Sequence, residues 1–193
     1  MKKLLVLAGL MLTACVNEPQ KEPEVFVQPL VKINPSSENS AWWLRTEYFP
    51  SGKTINNIPV EAIQADWCFA NIVTVDDYVK IISADDAKHL QDSSIVFQLN
   101  GKFDGSRNME ALPGVYQKCN GEKGNFILLS EIDDAKNEKI ISVLEANKNT
   151  PSFIGLLAMP ENMIGVALCL ECDDFSALQW DSATNNLKWS DLH

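Results

Sequence analysis

Between Gly101 and Tyr116 the chain reads GKFDGSRNMEALPGVY, which places oxygen-bearing side chains at Asp104, Ser106, Asn108 and Glu110. Alternating oxygen donors are how a loop wraps calcium, a hard cation that takes about six to eight oxygens, several of them carboxylates. Four cysteines form a second set that could do chemistry: Cys68, Cys119, Cys169 and Cys172. The last two make a C-x-x-C, CLEC. A redox pair of that spacing belongs between a strand and a helix N-terminus, where the helix dipole lowers the thiol pKa. Here it closes the strand-like run IGVALCLEC and precedes the acidic DDF. A zinc site needs a second ligand pair at metal spacing, and Cys68 and Cys119 are far apart. The set therefore reads as two structural disulfides, with all three pairings open.

Other catalytic signatures fail on spacing. PSGKT ends like a phosphate loop, but the glycine required five positions before Gly52 is Glu47. Pro50–Lys53 reads instead as a turn. Nucleophilic catalysis needs a base beside Ser or Cys. The two histidines, His89 and the terminal His193, stand in no recognisable motif. Paired acids at 76–77, 85–86, 133–134 and 173–174 read as helix starts, turns or solvated edges. A glycosidase-like pair among them depends on a separation that sequence does not reveal.

What positions these residues begins with an N-terminal address. MKKLLVLAGLMLTAC opens on Lys2 and Lys3 and runs apolar from Leu4 to Leu12. A bilayer-spanning helix takes about 20 residues, so this run reads as a secretory signal. Its end, LTAC, resembles the lipobox of bacterial lipoproteins. That resemblance implies cleavage after Ala14, a lipid on Cys15 and, with Val16 following, an outer-membrane anchor facing the periplasm. Residues 1–14 are then the signal and 15–40 a lipidated, proline-rich tether. A single domain spans 41–193, with part of EVFVQPLVKI free to dock on it.

The whole chain carries 16 basic and 26 acidic residues; without Lys2 and Lys3 it is 14 against 26, a net −12. Such acidity argues against nucleic acid and disfavours lying flat on an anionic membrane, while a basic protein partner is favoured.

Within the domain the sequence predicts helices over about 58–91. Ile63, Trp67 and Ala70 recur at helical spacing, and Thr74 and Ser83 are placed as N-caps for VDDYVKII and ADDAKHLQ. Strands and turns fill the rest, ending in a hairpin, ALQWD and NLKWS around SATN. The expected class is α+β, helices first and an antiparallel meander after. Trp42 and Trp43, read as strand neighbours on opposite faces, leave one as an anchor for a partner.

Residues 101–129 resemble one repeat of the FG-GAP-type β-propellers. The resemblance puts ligand positions on Lys102, Asp104, Ser106 and Glu110, where the family has a carboxylate at the first. An ammonium cannot coordinate calcium, so the expectation is a loop without a cofactor, Lys102 standing in for the ion and pairing with Asp104 and Glu110. Reading Asp104, Ser106, Asn108 and Glu110 as an EF-hand start also fails, for want of the central glycine and distal Glu. The C-terminal half, with GVY, GNFILL, CxEC and LQWD…LKW, is similar to uncharacterised proteobacterial lipoproteins. That likeness brings no activity with it; the tether, the charge of −12 and the absence of a catalytic constellation are what favour a lipid-anchored periplasmic binding or inhibitory protein of the immunity type. The alternatives are an accessory subunit of an envelope assembly and a carboxylate-dependent envelope hydrolase.

Overall fold

A computed structural model of the chain describes residues 28–35, 40–132, 138–148, 150–172 and 175–190. Strands take up 44% of them and helices only 17%, so the fold is mostly β and the expected α+β order is overturned. The strands are β1 (Val31–Ile33), β2 (Thr46–Tyr48), β3 (Thr54–Ile55), β4 (Ile58–Pro59), β5 (Trp67–Ile72), β6 (Leu99–Gly101) and β7 (Met109–Lys118). They continue with β8 (Lys123–Ile132), β9 (Glu138–Ala146), β10 (Gly155–Ala158), β11 (Ile164–Ala167), β12 (Ser176–Asp181) and β13 (Asn186–Trp189). The α-helices among the described residues are short: α1 (Val60–Ile63), α2 (Val75–Val79) and α3 (Ala84–Asp92).

The helix expected around Trp67 is strand β5, and the error has a physical cause. A register shift between Trp67 and Phe69, at Cys68, puts Trp67 and Ala70 on one face three residues apart. A β-bulge thus imitates helical spacing. The later two helices form as their caps predict. Thr74 and Asp77 close a capping box on α2, and Ser83 Oγ accepts from the Asp86 amide at the start of α3.

Strands β5, β7, β8 and β9 pair antiparallel in that order, and β6 adds to the N-terminal end of β7. Strand β7 is therefore flanked by β8 on one edge and by β6 and then β5 on the other. Pro113 sits where those two short strands leave a gap, its carbonyl accepting from the Val73 amide. A residue lacking an N–H is tolerated there because no ladder partner faces it. Strands β10 to β13 form a second antiparallel meander. Its apolar side meets the first sheet through Met109, Ala111, Ile127 and Leu129 against Leu156, Ile164, Val166 and Leu178. The opposite face of the first sheet buries Trp67, Tyr116, Phe126 and Leu128 beneath β3, β4 and α1.

On that face glycine and aromatic partners exchange places: Gly114 pairs with Phe126 and Gly124 with Tyr116. A Cβ at either glycine would collide with the partner's ring. Trp67 stacks on Tyr116, centroids 4.8 Å apart and planes 5° apart. Sheet edges are covered too. Val96 bridges Leu156 on β10. The Leu187 amide of β13 donates to Ser142 Oγ on β9 at 3.2 Å.

A third core cluster joins β1, β2, α2 and α3 to the first sheet around Trp42, Tyr48, Tyr78 and Phe153. Part of the apolar stretch before residue 41 thus belongs to the fold: Val31 of β1 is 1% exposed. The Tyr48 and Tyr78 hydroxyls share a hydrogen bond of 2.7 Å in this cluster. Burial pushes Tyr48 up to about 12 and Tyr78 well above its ordinary value. The unfolded chain releases both protons near pH 10, so the folded state holds more protons above that point. Stability is therefore intact below about pH 10 and falls as pH rises, by at most about 2.7 kcal/mol per pH unit from this pair. Urea midpoints between pH 8 and 11.5 will show that fall, and the double variant Tyr48→Phe/Tyr78→Phe will show a shallower one.

Candidate functional site

The loop of residues 102–108 is braced by itself. Asp104 Oδ1 accepts from the Ser106 and Arg107 amides, both at 2.8 Å. Its Oδ2 accepts from Ser106 Oγ at 3.0 Å and from Arg107 Nε at 2.6 Å. Desolvation opposes ionisation of Asp104, but these four donors outweigh it and hold the carboxyl well below the usual range. The cation that Asp104 meets is Arg107, not Lys102. Arg107 also reaches Glu131 of β8 at 3.6 Å and lies 5.4 Å from the Trp180 ring of β12, tying the loop to both sheets. Lys102 is exposed, and with Asn100, Gly101, Asn108 and Met109 it lines a hollow of about 330 Å³. Glu110 is buried in β7 and accepts a hydrogen bond from Gln98. The expected ligand set therefore does not converge on a point. Among the described residues, no group of three or more His, Cys, Asp or Glu is placed to hold a metal.

Glu145 of β9 organises a second cluster that sequence reading missed. It accepts from Trp67 Nε1 at 3.0 Å and Tyr116 OH at 3.2 Å, and lies 3.4 Å from Lys118 Nζ. Lys118 in turn meets Asp66 at 2.9 Å. Burial, then the Glu145 charge, pushes Tyr116 up to about 12. The Asp66 hydrogen bond leads in raising Lys118 above its ordinary value. Both groups stay protonated at neutral pH, so the cluster offers neither a phenolate nor a free amine as base. The one available signal was parity: alternation along KIISVLEA places Glu145 on the same face as Val143.

The disulfides are Cys68–Cys119 and Cys169–Cys172, with Cα atoms 4.9 and 5.7 Å apart. By loop-closure entropy the first, spanning 51 residues, contributes about 4 kcal/mol and the second, spanning three, about 2 kcal/mol. The C-x-x-C follows β11 in a bend, and the next described element is strand β12. His89 Nε2 lies 3.6 Å from Glu171 on the surface. Gly52 accepts from the Ala70 amide and donates to Asn71 Oδ1, so PSGKT is an edge segment laid along β5. Trp42 and Trp43 lie on a short 3-10 turn rather than a strand. Trp42 is 4% exposed inside the core, its ring 5.7 Å from that of the half-buried Trp43. Cys15, His193 and the acid pairs at 133–134 and 173–174 lie outside the described residues.

One surface feature has the shape of a binding site. Ile72, Val75, Leu90, Ile95, Val96 and Leu112 form most of an open apolar groove of about 440 Å³ between α2, α3 and the first sheet. Val75 and Val96 are 36% and 38% exposed. No charged side chain lines it, but its neighbours are acidic. Asp76 and Asp77 follow Val75, Asp92 follows Gln91, and Glu110 is bonded to Gln98 at its end.

Compared with protein-family models, curated proteins and solved structures, the chain matches none.

Replacing Asp104 by Ala leaves the Ser106 and Arg107 amides, Ser106 Oγ and Arg107 Nε without their acceptor. The expected cost is about 1–3 kcal/mol in a denaturation experiment, with the wild-type advantage lost as pH falls below the ordinary carboxylate range. Because Arg107 pairs with Asp104, the expectation is that millimolar calcium will leave the melting temperature where it stands in chelator. A calcium-dependent rise that vanishes in Asp104→Ala would reverse this assignment.

Proposed function

We propose that this chain is a lipid-anchored periplasmic binding or inhibitory protein of the immunity type, acting without catalysis by holding a basic protein partner. The groove between α2, α3 and the first sheet carries the reading, an apolar slot whose adjoining charges are Asp76, Asp77, Asp92 and Glu110. An apolar segment flanked by Lys or Arg is its complement. The net charge of −12 after removal of the signal adds a faster encounter with such a partner. The ionisable groups with perturbed pKa values support the same reading, since each is engaged in bracing the fold.

The test uses oxidised, unlipidated residues 16–193 as bait against envelope and secreted extracts. The expected catch is one dominant basic protein, weakened tenfold or more by high salt, as about 1.4 kcal/mol of lost attraction implies. Val75→Lys/Val96→Lys, which changes two exposed side chains, will release it. A salt-insensitive set of envelope proteins that survives that variant favours an accessory subunit instead. Cleavage at Ala14 is tested separately: mass spectrometry of the membrane-extracted chain will find an acylated Cys15, and Cys15→Ala will move the protein to the soluble fraction.

A further inference from the structure

We propose that a row of lysines and aromatic rings beside the start of the fold is a contact surface for anionic phospholipid headgroups. The register of the first sheet puts Phe69, Gln117 and Lys123 on one rung. Lys53 Nζ lies 3.9 Å from the Phe69 ring centroid. Lys123 and Lys32 lie 5.3 and 4.9 Å from the Phe49 ring. Lys53 also donates to the Cys68 carbonyl at 3.1 Å, and Lys123 to the Tyr48 carbonyl at 3.2 Å, which fixes the ammonium heads in place. Arg107, Lys118, Lys148 and Lys188 each meet a carboxylate. Among the described residues, Lys32, Lys53 and Lys123 meet none, in a chain with 26 acids to 16 bases. Leu44, on the turn before β2, stands 70% exposed.

The occupant follows from where the chain enters. The Phe49 amide donates to the Leu30 carbonyl at 2.8 Å, so the segment leading to β1 joins the fold beside the ring that Lys32 and Lys123 share. Cys15 precedes Gln28 by thirteen residues, a reach of at most about 45 Å. The inference rests on Cys15 being the membrane anchor: the bilayer then lies within reach of this lysine-rich edge. Acidity farther than about 8 Å is screened; within that range Glu47 stands opposite Lys32 in the β1–β2 ladder, so at contact the row is three lysines with this acid at its side. The general expectation that so acidic a chain avoids an anionic surface does not hold for this edge.

The test couples the chain from Cys15 onward, through the Cys15 thiol, to a maleimide lipid, the other cysteines being held in disulfides. Hydrogen exchange of amides 49–53 and 118–124 is then compared on vesicles of phosphatidylcholine alone and of phosphatidylcholine with phosphatidylglycerol. A lysine near an anionic surface strengthens association about fivefold, so exchange will slow about fivefold or more on the anionic vesicles. High salt will remove the effect, as will Lys32→Gln/Lys53→Gln/Lys123→Gln, whose fold is checked by exchange elsewhere. Equal exchange on both vesicles, or protection that persists in the triple variant, would overturn the proposal. Because the anchor is synthetic, absence of a lipid on Cys15 in cells would count against the anchoring and leave the vesicle result standing.

Discussion

Strand β7 is the constraint from which the other elements take their places. It is buried on both faces from Met109 to Tyr116, so each side of the sheet must be roofed. One face is covered by the second meander and by the β1, β2, α2, α3 cluster, the other by β3, β4 and α1. A strand so enclosed leaves no free backbone group without cost. The short strands β6 and β5 divide its outer edge, and Pro113 occupies the gap where no donor is needed. The reciprocal pairs Gly114–Phe126 and Gly124–Tyr116 then fix the register with β8. A slip of one residue would drive each ring into a side chain instead of onto a glycine.

Polar groups near this core serve the same end. Glu145 gathers the Trp67 indole, the Tyr116 hydroxyl and Lys118 where β5, β7 and β9 approach, beside the Cys68–Cys119 bridge. Asp104 and Arg107 do the equivalent at the other end of β7, joining its leading loop to β8 and β12. A general base needs a pKa near the working pH and an open lone pair. Asp104 has its lone pairs occupied, and Tyr48, Tyr78, Tyr116 and Lys118 are all shifted toward their protonated forms. These perturbed groups brace the fold.

How much of this was legible in the sequence depended on whether the signal was local. The caps at Thr74 and Ser83 are local chemistry, and α2 and α3 start where they indicate. The hairpin of β12 and β13 is local as well, with Asn185 in the left-handed turn at φ 53°. Strand β5 was misread because one extra residue at Cys68 converts alternation into helical spacing, and only its partner β7 reveals the bulge. Trp42 and Trp43 were misplaced because a 3-10 turn, not a strand, carries them. In the loop, a cation beside Asp104 was expected, but which one was not readable: Arg107 rather than Lys102 meets it. Arg107 stands three residues after Asp104, and only the turn geometry chooses it over Lys102. The groove draws on residues from 72 to 112, and no spacing in the chain announces that they meet.

Net charge is the coarsest of the sequence signals, and the fold shows how an average can mislead. A value of −10 describes the chain as seen from several screening lengths away, where individual charges blur. At contact distance the protein has distinct edges. The α2–α3 side sets Asp76, Asp77 and Asp92 next to exposed aliphatic side chains. Along β1, β2, β5 and β8, Lys32, Lys53 and Lys123 lie over aromatic rings rather than against carboxylates. Cation–π contacts hold an ammonium in place while leaving its charge uncompensated, which a carboxylate partner would not do. A lysine over a ring therefore remains available to an external anion. That distinction, between charges neutralised within the fold and charges merely positioned by it, separates Arg107 and Lys118 from Lys32, Lys53 and Lys123. It gives an acidic protein two chemically different surfaces, one where acids border exposed aliphatic side chains and one where ammonium groups lie over aromatic rings.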